Sequence, residues 1–201
     1  MSKLFGASHR RRQREFDTER LADRIEARLF HEQLGDADRA FIERMDMFFL
    51  ATADAEGLPN CSYKGGDPGF VRVVDEHTLA FPNYDGNGMY ISMGNAAVNA
   101  HVGLLFIDFE NQQRLRVNGL ARIEPPASLE PAYPEAQFIV KVTVRQVFPN
   151  CPRYIHKLQL VERSRFVPRA AVPTPLAGWQ RMDWASDVLP AADPARTPAE
   201  N

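Results

Sequence analysis

Between Asn83 and Gly88 the chain gathers small and polar residues, Asn83, Asp85, Gly86, Asn87 and Gly88, just before a run that reads as a helix. Such a loop leaves backbone N–H groups and the positive end of a helix dipole facing outward, which favours an anion such as phosphate. Glycine there lets a ligand approach the backbone closely. An ordinary strand-to-helix loop, with Asn or Asp as the helix N-cap, accounts for the same residues. Arg114 and Arg116 stand two residues apart on one strand and so share a face. From the residues alone they are suited to surface ion pairing with Glu110 or Asp108. A third group runs from Cys151 through Arg153 and His156 to Lys157. Cys151 is expected to be a packed thiol rather than a nucleophile, since no charged triad can be inferred around it. A lone histidine such as His156 can shuttle protons but is more often structural.

The elements that must position these residues follow from periodicity. The pattern predicts a strand over Thr78–Phe81, a loop over Pro82–Gly88 and a helix over Met89–Asn99. Strands over Val102–Phe109 and Arg114–Ile123 come next. The run Val102-Gly103-Leu104-Leu105-Phe106-Ile107 is continuously apolar, so a central strand buried on both faces is expected. Upstream, a helix capped by Asp17 or Thr18 should continue to about Gln33 with Leu21, Ile25 and Leu29 on one face, ending at Gly35. A second helix starts from Asp36 as cap and presents Phe41, Ile42 and Met45. The two helices are expected to form a lid on a β structure. Met47–Ala53, the turn Asp54–Gly57 and Leu58–Lys64 read as a hairpin, broken by Gly65, Gly66 and Gly69. Phe70–Val74 and, after two prolines, Phe138–Phe148 complete six or so strands. Short spacings and few helices argue an antiparallel barrel, not a doubly wound sheet.

The totals exclude several classes. With 201 residues, 44% hydrophobic and 25% charged, the chain suits one decorated globular domain. A net charge of −2 gives no general drive toward nucleic acid or anionic lipid. Cys61 and Cys151 form no CxxC pair, no Cys/His spacing suggests zinc, and no run is long enough to span a bilayer. No signal-peptide succession opens the chain, so a cytoplasmic protein is expected. Residues 1–16 are basic and are expected to be a solvated tail or a set of ion-pair partners for the chain's own dimer. Residues 17–168 should form the main domain. The Pro/Ala-rich stretch 169–201 should be disordered over its last dozen residues, while Trp179, Met182 and Trp184 are expected to dock on the body or on a partner subunit.

The segments FLATADAEGLPNCSYKGG, FPNYDGNG, HVGLLFIDF and RLRVNGLARIE, in that order, resemble the pyridoxamine 5′-phosphate oxidase-like, flavin-binding split-barrel family over roughly residues 38–160. The resemblance implies a mainly β fold, a six-stranded antiparallel split barrel with peripheral helices. It also implies a homodimer with one FMN in each of two clefts between subunits, and an FMN-dependent oxidoreductase acting on a small molecule. Carried onto this sequence, the phosphate contacts fall on Ser62, Tyr63 and Lys64 and on Pro82, Asn83, Tyr84, Asn87, Gly88 and Met89. Arg114 and Arg116 are implied near the flavin ring, and Cys151, Arg153 and Lys157 near the cofactor. Asn87-Gly88-Met89 stands where true pyridoxamine phosphate oxidases carry a Ser-Arg-Lys type cluster, and their C-terminal substrate motif is absent. Alternatives are a non-catalytic flavin, pyridoxal phosphate or haem binder, the last with His101 or His156 as axial ligand, or a deazaflavin-dependent reductase.

Overall fold

The computed structural model describes residues 2–129 and 131–196. By internal contacts the chain divides into Met1–Leu160 and Val161–Asn201, a division earlier than the Arg169 boundary expected from composition.

The first unit is mainly β. Its strands are β1 (Met47–Ala53), β2 (Pro59–Gly65), β3 (Arg72–Asp75), β4 (Thr78–Asn83), β5 (His101–Asp108), β6 (Gln113–Glu124) and β7 (Phe138–Pro149). They form one antiparallel sheet in the order β2-β1-β5-β6-β7-β4-β3, seven strands where six were expected. Residues 66–71 alone join the two edge strands, β2 and β3. Six residues span at most about 20 Å, so the sheet curls until its edges approach: a split barrel.

The β1–β2 hairpin forms where the sequence placed it. Asp54 Oδ1 accepts the backbone N–H groups of Glu56 (3.1 Å) and Leu58 (2.8 Å), and Gly57 takes φ +86°, an Asx-turn that reverses the chain. Inward side chains build the core: Phe48, Leu50, Phe81, Leu104, Phe106, Val117 and Val142 are 0–1% exposed. Phe48 sits at its centre, with Phe81 and Phe106 ring centroids at 5.0 and 5.3 Å.

β5 corrects the reading of its apolar run. It is internal to the sheet, between β1 and β6, but Val102, Leu104 and Phe106 are buried while Gly103, Leu105 and Ile107 are half-exposed. Within one chain the core covers a single face of this strand. A bulge between Asn118 and Gly119 leaves Arg145 on β7 without a partner on β6. At Gly119 an added Cβ would collide with the Thr143 carbonyl, so the strands approach closely only because residue 119 is glycine.

The N-terminal residues differ from a tail. Ala7–Glu15 is helix α1 and Glu19–Leu29 helix α2. Arg10 pairs with Asp23 at 2.7 Å and Arg14 with Glu19 at 3.1 Å, so the basic run finds its acids within the chain. α2 stops at Leu29, short of Gln33, and Phe30 is extended. The reason lies on β7, which outlasts β4 and leaves Val147 with open backbone groups. His31 takes both, its N–H donating at 3.0 Å and its carbonyl accepting at 2.8 Å. Gly35 therefore ends no helix; it is the N-cap of α3 (Asp36–Arg44), and its N–H is held by Asp38 Oδ2 at 2.9 Å. α3 buries Phe41 and Ile42 as a lid should, whereas α2 buries none of its residues. The remaining helix of this unit, α4 (Ile91–Val98), joins β4 to β5.

The second unit holds a short helix, α5 (Asp183–Ser186), flanked by tight turns at Gly178–Arg181 and Pro194–Arg196. Gln180 is its buried hub, donating to Asp193 Oδ2 at 3.0 Å and accepting from Ala177 N at 2.7 Å. Trp179 and Trp184 stack on each other at 6.1 Å, and Trp184 stays 69% exposed. The disorder expected at the C-terminus concerns, for 197–201, residues outside those described. Among the described residues no helix is long and apolar enough to cross a membrane.

Candidate functional site

The inward face of the β1–β2 hairpin becomes polar where α4 begins. On β2, Asn60, Ser62 and Lys64 alternate with Cys61 and Tyr63, so the first three share one face. Across the register Thr52 lies opposite Asn60 and Leu50 opposite Ser62, which puts this set on the core side. Asn60 Nδ2 donates to Ser92 Oγ at 3.0 Å, and Ser62 and Ser92 share a hydroxyl hydrogen bond at 2.9 Å. Asn95 Nδ2 donates to Thr52 Oγ1 at 3.2 Å. These bonds moor the first turns of α4 to the hairpin. Lys64 continues the row one pleat further, about 7 Å along the strand. It is half-buried and has no carboxylate or hydrogen-bond partner among the described residues. Burial lowers its pKa below the ordinary lysine value, the signature of a cation short of a counter-charge.

The start of α4 supplies matching donors. Tyr90 is its N-cap, in the left-handed region at φ 49°, and no side chain caps the helix. Neither Asn nor Asp therefore takes that role, and the helix starts at Ile91 rather than Met89 because the left-handed Tyr90 interrupts it. The first-turn N–H groups have no side-chain acceptor, the condition under which a helix start receives an anion. The loop before it is exposed but tied down. Gln137 donates to Asp85 Oδ1 at 3.0 Å and accepts from Asn83 (3.0 Å) and Tyr90 (3.1 Å). Asn87 Oδ1 receives the Met89 N–H at 3.1 Å, and Gly88 takes φ +73°. Pro82 is buried within β4 and pairs in register with Ile139. Tyr84 is half-buried; burial, then the nearby Asp67, pushes its hydroxyl up to about 12, so it stays a protonated donor.

The other sequence-predicted residues lie elsewhere. Tyr63, Phe49, Leu105, Arg116 and Phe148 form one cross-strand row on the outer face. Tyr63 thus points away from Ser62 and Lys64, and three strand spacings, about 14 Å, separate it from Arg116. Arg114 and Arg116 share the outer face as expected, but Asp108 does not pair with them. It is buried and engaged by Arg44 at 3.0 Å and Asn111 at 2.9 Å. Burial alone would raise its carboxyl; these bonds hold it low. Arg116 donates to Asn150 Oδ1 and lies 5.9 Å from the Phe148 ring centroid. Cys151 is exposed rather than packed, and Arg153 Nε reaches its sulfur at 3.3 Å. The backbone N–H of Arg153, then its guanidinium, lowers the thiol pKa, with Arg114 adding to the effect. Arg114, Arg116, Cys151 and Arg153 therefore gather at one edge of the outer face, while Lys157 and His156 are exposed beyond them. Among the described residues no group of His, Cys, Asp and Glu could hold a metal ion.

Residues 34–151 match the model of the family described as pyridoxamine 5′-phosphate oxidase, more than half of the chain. The chain belongs to that family. Solved structures are similar to the chain at low identity. HupZ of Group A Streptococcus is 18% identical with a TM-score of 0.47, over 63% of this chain and 99% of that one. An FMN-binding protein from Syntrophomonas wolfei is 11% identical with a TM-score of 0.43, over 70% and 97%. HutZ, the heme storage protein from Vibrio cholerae, is 16% identical with a TM-score of 0.40, over 58% and 95%. No curated protein matches the chain significantly.

The matched span of this pyridoxamine 5′-phosphate oxidase family member contains the whole hairpin and α4 set. Sequence reasoning missed Thr52, Asn60, Ser92, Asn95 and Gln137. A signal for one of them was present: Asn60, Ser62 and Lys64 make a polar row at period two on a strand whose partner, β1, buries Phe48 and Leu50 on that face. A polar row set into a core face marks a lined site.

Proposed function

We propose that this protein is an FMN-dependent oxidoreductase of the pyridoxamine 5′-phosphate oxidase family. The observation that carries the reading is Lys64, a half-buried cation without a counter-charge among the described residues, set in one row with Ser62 and beside the uncapped start of α4. A phosphate monoester fits these donors. Lys64 supplies charge, the hydrogen-bonded Ser62–Ser92 pair supplies its one free hydroxyl hydrogen, and the first-turn N–H groups of α4 supply directed dipoles. The Gly86–Gly88 loop lets the ligand approach the backbone, and Tyr84 stands by as a protonated donor. Bound FMN would contribute the hydride chemistry of its isoalloxazine ring. The chain's own residues bind the phosphate and orient the ring, and no amino-acid nucleophile is needed. The missing Ser-Arg-Lys cluster is made good by Lys64 and backbone donors.

A homodimer is part of the same proposal. Phe49, Leu105 and Ile107 form a half-exposed apolar patch on the outer face of β1 and β5, and a second copy would bury it.

The test compares FMN with riboflavin, which lacks the phosphate, by quenching of flavin fluorescence on titration with the apoprotein. FMN should bind at least tenfold more tightly, and Lys64→Gln should weaken FMN while leaving riboflavin unchanged. Equal affinities for the two ligands would overturn the phosphate assignment. Turnover of FMN-loaded protein with reduced nicotinamide separates an oxidoreductase from a flavin carrier.

A further inference from the structure

Helix α2 lies outside the family-matched span and carries three acids, Glu19, Asp23 and Glu26, and three arginines, Arg20, Arg24 and Arg28. Its charges cancel in sum but separate around the axis, because each set recurs every three or four residues. The acids are engaged by the chain that precedes the helix. Asp23 meets Arg10 at 2.7 Å, Glu19 meets Arg14 at 3.1 Å, and Glu26 Oε1 accepts the N–H groups of Lys3 (2.7 Å) and Leu4 (3.2 Å). Arg20, Arg24 and Arg28 are exposed and have no hydrogen bond, ion pair or ring contact among the described residues. They stand about 6 Å apart along the axis, a basic row over two turns.

Beside that row runs an apolar one. Leu21, Ile25 and Leu29 each follow one of the arginines, and they are 60%, 43% and 43% exposed. A helix normally buries such a stripe. With Ala22, the stripe forms one wall of a groove of about 330 Å³ that Phe30, Phe148 and Pro149 also line. The groove lining holds no cation. Positive charge therefore reaches an occupant only from the arginine row beside the stripe.

We infer that this face of α2 docks an acidic amphipathic helix of a protein partner. The apolar ridge of that helix lies on Leu21, Ile25 and Leu29, and carboxylates along its flank meet Arg20, Arg24 and Arg28. Charge complementarity selects the occupant: three unpaired guanidinium groups at one-turn spacing match carboxylates at the same spacing on a second helix. The side chains of a helical ridge also fill the concavity behind the stripe, which a flat bilayer surface would bridge. A second copy of α2 brings the wrong charge. Antiparallel two-fold pairing about the stripe sets the arginine row of one copy against that of the other.

The experiment is fluorescence anisotropy of labelled, end-capped synthetic helices titrated with the full chain. The probe has about 20 residues, long enough to be helical alone, with leucine at i, i+3, i+4 and i+7 and glutamate flanking that stripe. It should saturate at one per chain and bind at least tenfold more tightly than the same peptide with lysine in place of glutamate. Arg24→Gln should weaken it by about threefold, and the triple variant Arg20→Gln, Arg24→Gln, Arg28→Gln by at least tenfold. Ile25→Asp, at an exposed position, should weaken both peptides. Circular dichroism establishes that each variant is folded, and the readout needs no flavin, so it stands apart from the cofactor assignment. Absence of saturable binding to the folded chain overturns the inference, as do equal affinities for the two peptides or an unchanged affinity in the triple variant. Without peptide binding, cosedimentation with phosphatidylserine vesicles that the triple variant loses makes the face a lipid surface. Without peptide binding, conversion of a dimer to a monomer by Ile25→Asp makes it a contact between copies. Either result overturns the inference.

Discussion

At the scale of single residues, two groups combine unusual surroundings with testable titration. Lys64 is held below the ordinary lysine range by burial, so its ammonium charge is lost at lower pH than that of a free lysine. The FMN to riboflavin affinity ratio should accordingly decline at a lower pH than the loss of charge of a free lysine would give. The same ratio should be small and flat with pH in Lys64→Gln; a wild-type ratio as flat with rising pH as that of the variant would contradict the assignment. Cys151 differs in kind, because it is exposed and its charged form is favoured by the Arg153 backbone N–H first and the guanidinium second. Its alkylation by iodoacetamide should rise with pH at a midpoint below that of an unperturbed thiol. Arg153→Gln should move this midpoint upward only in part, since the backbone donor remains; mass spectrometry of the labelled chain reads both. Lys64 stood out in the sequence as a lysine closing a strand beside a glycine-rich break, and its expected phosphate role came from the family resemblance. The exposure of Cys151 was not readable there, since it depends on where the segment after β7 is laid down.

At the scale of elements, the hairpin β1–β2 and the helix α4 act as one unit through Asn60, Ser62 and Ser92. Their register was legible from MFFLATA and the Asp54–Gly57 turn, whose side-chain and glycine geometry is local. The helix start was not legible, because it depends on the left-handed Tyr90 and on Gln137, a residue 47 positions away that receives the Tyr90 hydroxyl. α2 shows the same limit: its periodicity continues past Leu29, and only the open backbone of Val147 draws His31 out of the helix. Phe48 is the packing centre of the sheet, 0% exposed and in ring contact with Phe70, Phe81 and Phe106. Phe48→Ala should destabilise the fold by about 3–5 kcal/mol through lost transfer energy and the cavity left behind. Urea denaturation measures it, and a loss under about 1 kcal/mol would mean that the core closes over the gap.

At the scale of the whole molecule, the proposed homodimer places the contact between chains on the outer face of the sheet. Leu105 is half-exposed at the middle of the apolar patch. Leu105→Asp should leave the chain folded and shift a dimer to monomer in analytical ultracentrifugation, because a charge there would be buried without a partner on association. A wild-type protein that sediments as a monomer at micromolar concentration would remove the dimer from the proposed function. The sequence by itself determined what local chemistry and periodicity determine: the mainly β class, the β1–β2 turn, the polar loop before α4, the pairing of Arg114 with Arg116 on one face and the family resemblance. Those follow from φ/ψ preferences and from which side chains share a face along a strand or helix. Tertiary structure alone decided what depends on residues distant in the chain. It set the one-sided burial of β5, put Tyr63 on the face opposite Lys64, gathered the Arg114, Arg116 and Arg153 cluster, and recruited Asn60 and Ser92. These are consequences of strand order and curl, which place residues side by side through hydrogen-bonded register across the sheet rather than through spacing along the sequence.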